Sequence, residues 1–281
     1  RIQTDWQFSL CACNKKNCRA IKKIRLGRGY MPRNNWTREE TILALALYCK
    51  IPFGRINKTN SQVVNLASRI GRTPSALAMK MCNFGRCDPE LSKRGISGLA
   101  HGGKLDKEIW DEFHQDMEEL YLEAERTLSD TSILLPKEEI EIPTGEDIST
   151  ISKARKGQAF FRNTVLSAYN NTCCITGITV PQLLQASHIK SWKDSDPLTE
   201  RTNPINGLCL NALHHKAFDN GIITIDTDFR ILISRQAKDM YSTDAFKEFF
   251  GKYEGQKITL PMRFMPSKEL IEYHNSRLLY F

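Results

Sequence analysis

Apolar positions recur along the chain in blocks of different period, and those blocks predict its elements. In 35–84 the pattern is helical. Trp36, Ile42, Leu43, Leu45 and Leu47 lie in an apolar segment that Thr37 and Glu40 precede at capping-box spacing. A second short helix is predicted over 61–70 from Val63, Val64, Leu66, Ala67 and Ile70. Gly71 closes it, and Arg72-Thr73-Pro74 opens a third that runs to about Asn83. Short helix, glycine turn and basic helix is the pattern of a helix-turn-helix, in which Lys80, Asn83 and Arg86 are candidate DNA contacts. A plain three-helix packing domain fits the same pattern.

Residues 105–128 read as one long amphipathic helix carrying Ile109, Phe113, Met117, Leu120 and Ala124 on one face, with His114 structural. Pro136, Pro143, Gly145 and many acids mark 129–152 as a linker. Beyond it a helix is expected over 157–169, with Phe160, Phe161, Val165, Leu166 and Tyr169 as its buried stripe. Short β-like pieces follow in 173–188, around Thr176-Gly177. A strand at 208–210, a helix at 212–218, a hairpin from 222–225 to 230–234 and a last helix at 267–277 complete the reading. The predicted class is α+β. It divides into a basic arm (1–34), a helical region (35–128), an acidic linker (129–152) and a C-terminal domain (153–281).

Charge changes this picture. The net +8 is unevenly placed, since residues 1–34 alone hold nine Lys/Arg against one acid, while 104–150 are strongly acidic. Basic bodies on either side of an acidic middle fit a polyanion binder, and equally a soluble protein with a basic tail. Cys11, Cys13 and Cys18 in the arm read as thiols rather than a zinc site, for want of a fourth ligand. Nine cysteines, an odd number scattered over 281 residues, point to reduced thiols and a cytoplasmic setting. The longest apolar run, 42–49, falls far short of the ~20 residues a membrane span needs. No secretion signal is read at the start, and no glycine motif of a nucleotide hydrolase is found.

Candidate chemistry concentrates in the last half. Three of the six histidines fall within 28 residues, in SHIKSW and NGLCLNALHHKAFDNG. His188 ends a strand-like segment, Asn206 follows eighteen residues later, His215 nine beyond that and Asp219 four further. On a helix His215 and Asp219 share a face, so an imidazole and a carboxylate can converge on one divalent ion.

Taken together, ASHIKSW, NGLCLNALHHKAFDNGIITID and the lead-in RKGQAFFRNTVLSAYNNTCCITG resemble the HNH endonucleases of the ββα-metal superfamily, in their restriction-type branch. The likeness covers 155–281. It implies a ββα-metal domain with His188 as general base, Asn206 holding the loop between the strands, and His215 with Asp219 binding Mg²⁺ or Mn²⁺. Lys153, Arg155, Lys156, Gln158 and Arg162 are candidate phosphate contacts. His214 is expected to pack or to touch phosphate. The implied products are a 5′ phosphate and a 3′ hydroxyl.

Two departures from that pattern stand out. Ser187 occupies a position where many relatives have a further metal ligand. Asn211 and His214 stand where many relatives have zinc-binding cysteines, so no structural zinc is expected. The function implied is a restriction or modification-dependent DNA endonuclease acting on double-stranded DNA. It has no membrane association, and a homodimer is expected because one centre cuts one strand. The alternatives are a helix-turn-helix regulator with an inactive HNH fold, and an RNA-directed nuclease.

Overall fold

The computed structural model describes residues 35–95, 103–130, 148–240 and 243–278; within 148–156 it gives the backbone of a helix without its side chains. The arm and its cysteines lie outside the described residues. Contacts divide the chain into 1–36 and 37–281, and the second unit is described here.

Its helical part is built around α1 (Arg38–Lys50). The capping box forms as read: Thr37 Oγ1 accepts from the Glu40 N–H at 3.2 Å and Glu40 Oε2 from the Thr37 N–H at 3.0 Å. Ile42, Leu43, Leu45, Tyr48 and Cys49 are all buried, so α1 is sheathed on nearly every side. α2 (Ser61–Arg69) ends where Gly71 takes a left-handed φ of 66°, a conformation that is nearly strain-free only for glycine. α3 (Pro74–Phe84) starts with Pro74 in its first turn and Thr73 capping the Ala76 N–H. A short α4 (Pro89–Lys93) follows.

The single long helix expected at 105–128 is instead two, α5 (Lys104–Phe113) and α6 (Met117–Asp130). Asp116 restarts the chain after the break, its Oδ1 accepting from the Glu119 N–H at 2.9 Å. Ile109, Phe113, Met117, Leu120 and Ala124 remain buried, so the apolar face survives the break.

α7 (Ile148–Ala168) begins within the stretch read as linker. It buries Phe160, Phe161, Val165 and Leu166, then ends in Asn170 and Asn171, both at positive φ. Of the β-like pieces expected in 173–188 only β1 (Leu184–His188) is a strand. Residues 173–178 form a tight turn in which the Cys173 N–H donates to the Ile178 carbonyl and the Gly177 N–H to the Cys173 carbonyl. β2 (Gly207–Asn211) pairs antiparallel with β1, placing Ser187 opposite Leu208 and His188 opposite Gly207. α8 (Ala212–Asp219) follows β2 without a loop.

The expected hairpin is present as β3 (Ile223–Ile225) with β4 (Ile231–Ile233). α9 (Arg235–Met240), α10 (Asp244–Phe249) and α11 (Lys268–Ser276) close the described chain. Leu184, Leu208, Leu210, Phe218, Ile223, Ile231 and Ile271 share one core with Phe161 and Val165.

Arg263 ties this core to the helical part. It is fully buried and donates to the Tyr48 and Ile51 carbonyls, both at 2.8 Å, and to Ser167 Oγ at 3.0 Å. It thereby satisfies carbonyls that the end of α1 leaves without a helical partner.

Candidate active site

Strand pairing and a helix that starts directly on β2 bring distant residues together. His188 at the end of β1, with His215 and Asp219 of α8, lines a cleft of about 440 Å³. Ile189, Ser191, Trp192 and Asp194 border it on one side, and Tyr273, His274 and Arg277 at α11 on the other.

The His188 ring is fixed on three sides. It stacks on Phe161 with centroids 3.8 Å apart and meets the Trp192 indole edge-on at 5.7 Å. Its Nε2 lies 2.9 Å from the Arg201 carbonyl. A carbonyl only accepts, so this contact assigns the proton to Nε2 and leaves the lone pair on Nδ1. Burial holds its pKa below the ordinary imidazole value, against the Arg201 carbonyl and the Asp219 charge, which work upward. The imidazole is therefore neutral near pH 7 and able to take a proton.

Asn206 is fully buried at the base of the 189–206 loop. Its Oδ1 accepts from the Lys190 N–H at 2.8 Å. Its Nδ2 contacts the Lys190 carbonyl, Ser195 Oγ and the Glu200 carbonyl at 3.0–3.3 Å. Both limbs of the loop thus converge on one side-chain amide. Gly207, next in sequence, has to be glycine for a packing reason. A Cβ there would overlap Val165 Cγ2 and lie 3.0 Å from the Phe161 ring, which carries His188.

Ser187, fully buried, joins the two remaining groups. Its hydroxyl donates to Asp219 Oδ1 at 3.4 Å and lies 3.0 Å from His215 Nδ1, from which it accepts in that arrangement. His215 Nε2 faces Asp219 Oδ2 across 3.4 Å. Two electron-pair donors opposed at this separation fit a shared divalent cation, and both are part-exposed to the cleft. No group of three or more His, Cys, Asp or Glu able to hold a metal is found among the described residues. His215, Asp219 and Ser187 are the donors that the structure brings into mutual contact at the cleft.

The other residues singled out in the sequence lie elsewhere. His214 is buried, packs between Phe250 and Tyr253, and contacts Asn211 Oδ1 through Nδ1 at 3.0 Å, which leaves packing as its observed role. Asn211 also donates to Thr176 Oγ1 and, through its backbone, to Cys173 Sγ, so these four residues hold one another by hydrogen bonds.

Lys80 is a correction to the expected reading surface of α3. It is 5% exposed and ion-paired with Asp106, which also accepts from Asn83 Nδ2 at 3.2 Å. Lys80 follows the apolar face because Leu77, Met81 and Phe84 turn that side of α3 inward, leaving Ser75 and Met79 outward. Arg86 is half-exposed just past α3. Arg162 donates to the Leu184 carbonyl at 2.7 Å and to Gln185 Oε1 at 3.3 Å, along the edge of β1 and outside the cleft lining. Gln158 is exposed. The side chains of Lys153, Arg155 and Lys156 lie outside the described residues.

Sequence reading missed Phe161 as the shelf under His188, and Trp192 and Arg201 as its neighbours. It also missed the α11 wall, although Tyr273 and Arg277 at i, i+4 were a legible helical pair; Arg277 donates to the Tyr273 hydroxyl at 3.1 Å.

Residues 173–226 match the family model described as HNH endonuclease. No curated protein matches the chain. Among solved structures, a modification dependent TagI restriction endonuclease aligns over 43% of this chain and 38% of its own, with 22% identity and a TM-score of 0.29. The match of residues 173–226 spans β1, β2 and α8 and contains His188, Asn206, His215 and Asp219, so this segment is an HNH endonuclease domain.

Proposed function

We propose that the protein is a metal-dependent DNA endonuclease of restriction type that hydrolyses phosphodiester bonds in double-stranded DNA. The observation that carries the reading is the sharing of one cleft by the His188 imidazole and the His215–Asp219 pair. His188 Nδ1 takes a proton from water, and the hydroxide attacks phosphorus. The bond to the 3′ oxygen breaks, and that oxygen leaves with a proton, giving a 3′ hydroxyl and a 5′ phosphate. A positioned general base of this kind contributes about 10²–10⁴-fold. His215 and Asp219 would hold Mg²⁺ or Mn²⁺, which supplies positive charge beside the scissile phosphate.

Asn206 acts on the loop rather than on substrate, keeping the base aimed through its bonds to Lys190, Ser195 and Glu200. Residues 37–130, in this reading, select the DNA site through surfaces other than Lys80, which is buried. Lys153, Arg155, Lys156 and Gln158 remain the candidate phosphate contacts ahead of the cleft. A double-strand break then requires two copies of the chain or two binding events.

Supercoiled plasmid and phage DNA, unmodified and methylated, incubated with the protein and Mg²⁺ or Mn²⁺ test the proposal. Nicking is expected that EDTA abolishes and that His188→Ala lowers by at least about 100-fold. Intact plasmid under every condition, with binding retained, would instead identify a DNA-binding regulator carrying an inactive HNH fold. Faster cleavage of single-stranded RNA than of duplex DNA would assign an RNA-directed nuclease.

A further inference from the structure

We propose that Arg201 is the positioning residue that selects which nitrogen of His188 faces the cleft, acting through its backbone carbonyl and its side chain together. The inference rests on the nuclease reading of the site. Phe161 and Trp192 fix the plane of the His188 ring, by stacking at 3.8 Å with the planes 13° apart and by an edge-on contact at 5.7 Å. Stacking does not distinguish the ring from its copy flipped by 180°, because both present the same face, and the outer torsion of histidine is broadly two-fold. Among the described residues, the contact that distinguishes them is the hydrogen bond from Nε2 to the Arg201 carbonyl, at 2.9 Å. Without it either nitrogen could carry the proton, and the lone pair would face the cleft only part of the time.

That carbonyl sits thirteen residues beyond His188, on an irregular loop without helix or strand to hold it. The Arg201 backbone N–H donates to the Asp196 carbonyl at 3.1 Å and Asn206 holds the adjacent Glu200 carbonyl, while the Arg201 side chain adds the anchor toward Trp192. Arg201 Nε donates to the Trp192 carbonyl at 3.1 Å and to the Ser195 carbonyl at 3.2 Å, and the guanidinium lies 5.6 Å over the Trp192 ring. One residue therefore offers the acceptor that orients the base and ties that acceptor to the segment bearing the ring's second neighbour. Arg201 does not line the cleft, which argues against its being a phosphate contact.

The test compares Arg201→Met and Arg201→Lys with wild type by single-turnover cleavage and by ¹⁵N NMR of histidine-labelled, metal-free protein. Methionine keeps an aliphatic stem beside Trp192 and removes the donors, whereas lysine keeps a charge and one donor. The proposal expects Met to lower kcat by about 10–100-fold, the scale on which a small misplacement of a catalytic group acts. KM for DNA should change less than about threefold, and Lys should recover an intermediate rate.

Wild-type His188 should show a single Nε2–H tautomer and the Met variant a mixture. A wild-type rate with one tautomer in the Met variant would overturn the assignment. So would a loss confined to KM and thermal midpoint with the tautomer intact, because a phosphate contact or a merely structural residue behaves that way. Should the Met variant not fold, the Lys variant carries the same two readouts. The NMR signature needs no cleavage, so it still decides the role of Arg201 if the wild-type protein proves to cut nothing.

Discussion

The helical part and the nuclease part both bury polar side chains, and they use them in opposite ways. In the helical part Lys80, Asp106 and Asn83 close on one another between α3 and α5. Arg263 donates to the Tyr48 and Ile51 carbonyls and to Ser167 Oγ where the two parts meet. In the nuclease part Ser187, His188 and Asn206 are likewise enclosed by hydrogen bonds, yet His188 and the His215–Asp219 pair line a cleft. A buried polar group is costly unless paired. Where the leftover atoms, such as Asn83 Oδ1 and Arg263 Nε, are sealed in the interior, the group supports packing. Where the matching stops one atom short beside a cavity, the remaining atom is available for chemistry.

The largest effect expected from breaking this contrast falls in the helical part. Lys80→Met strands the Asp106 carboxylate in the core and should cost about 3–5 kcal/mol, the usual penalty for orphaning one partner of a buried ion pair. The double variant Lys80→Met/Asp106→Leu should recover most of that loss, read as the midpoint of chemical denaturation. If Lys80→Met instead left stability unchanged and weakened DNA binding, the paired arrangement would not describe the protein in solution.

Gly207→Ala is expected to be smaller in stability and more telling in activity. The added methyl meets Val165 and the Phe161 ring, an overpacking that costs about 1–3 kcal/mol. Because Phe161 carries the His188 ring, the proposed base, cleavage should fall by more than the population of unfolded protein accounts for. Equal cleavage per folded molecule would separate Phe161 from catalysis.

The smallest effect is that of pH. Burial lowers the pKa of His188, His214 and His274 in the folded protein. For His274 this desolvation of the ring is opposed by the Ile189 backbone and the Asp219 charge. The unfolded chain, with ordinary imidazoles near pH ~6.5, therefore binds protons that the folded chain refuses. Stability is full above about pH 6.5 and declines as pH falls from there through the lower folded values. Denaturation midpoints measured between about pH 7.5 and about pH 5.5 should drop on the acid side. A flat profile over that interval would mean that the three rings are not desolvated as described.

Much of both parts was legible because the signals are local. A capping box needs only Thr37 and Glu40, and the strand, loop and helix order needs only the spacing of His188, Asn206, His215 and Asp219. The break between α5 and α6 was hidden because Met117 and Leu120 continue the apolar face across it. Lys80 was misplaced because a basic residue on an apolar helix reads as solvent-facing until its partner, Asp106 on another helix, is in view.

By itself, then, the sequence determined the class of the fold, the bounds of α2, α3, α8 and α11, and the grouping of His188, His215 and Asp219 at one cleft, since period, caps and motif spacing act over a few residues. Tertiary structure alone decided the rest. It placed the Arg201 carbonyl against His188 Nε2, joined Ser187 to both His215 and Asp219, and set Phe161 beneath the His188 ring. It also brought α11 to the far wall of the cleft. Each of these depends on which groups meet across long stretches of chain. That is fixed by packing and by the demand that buried polar atoms find partners, which no local pattern of residues encodes.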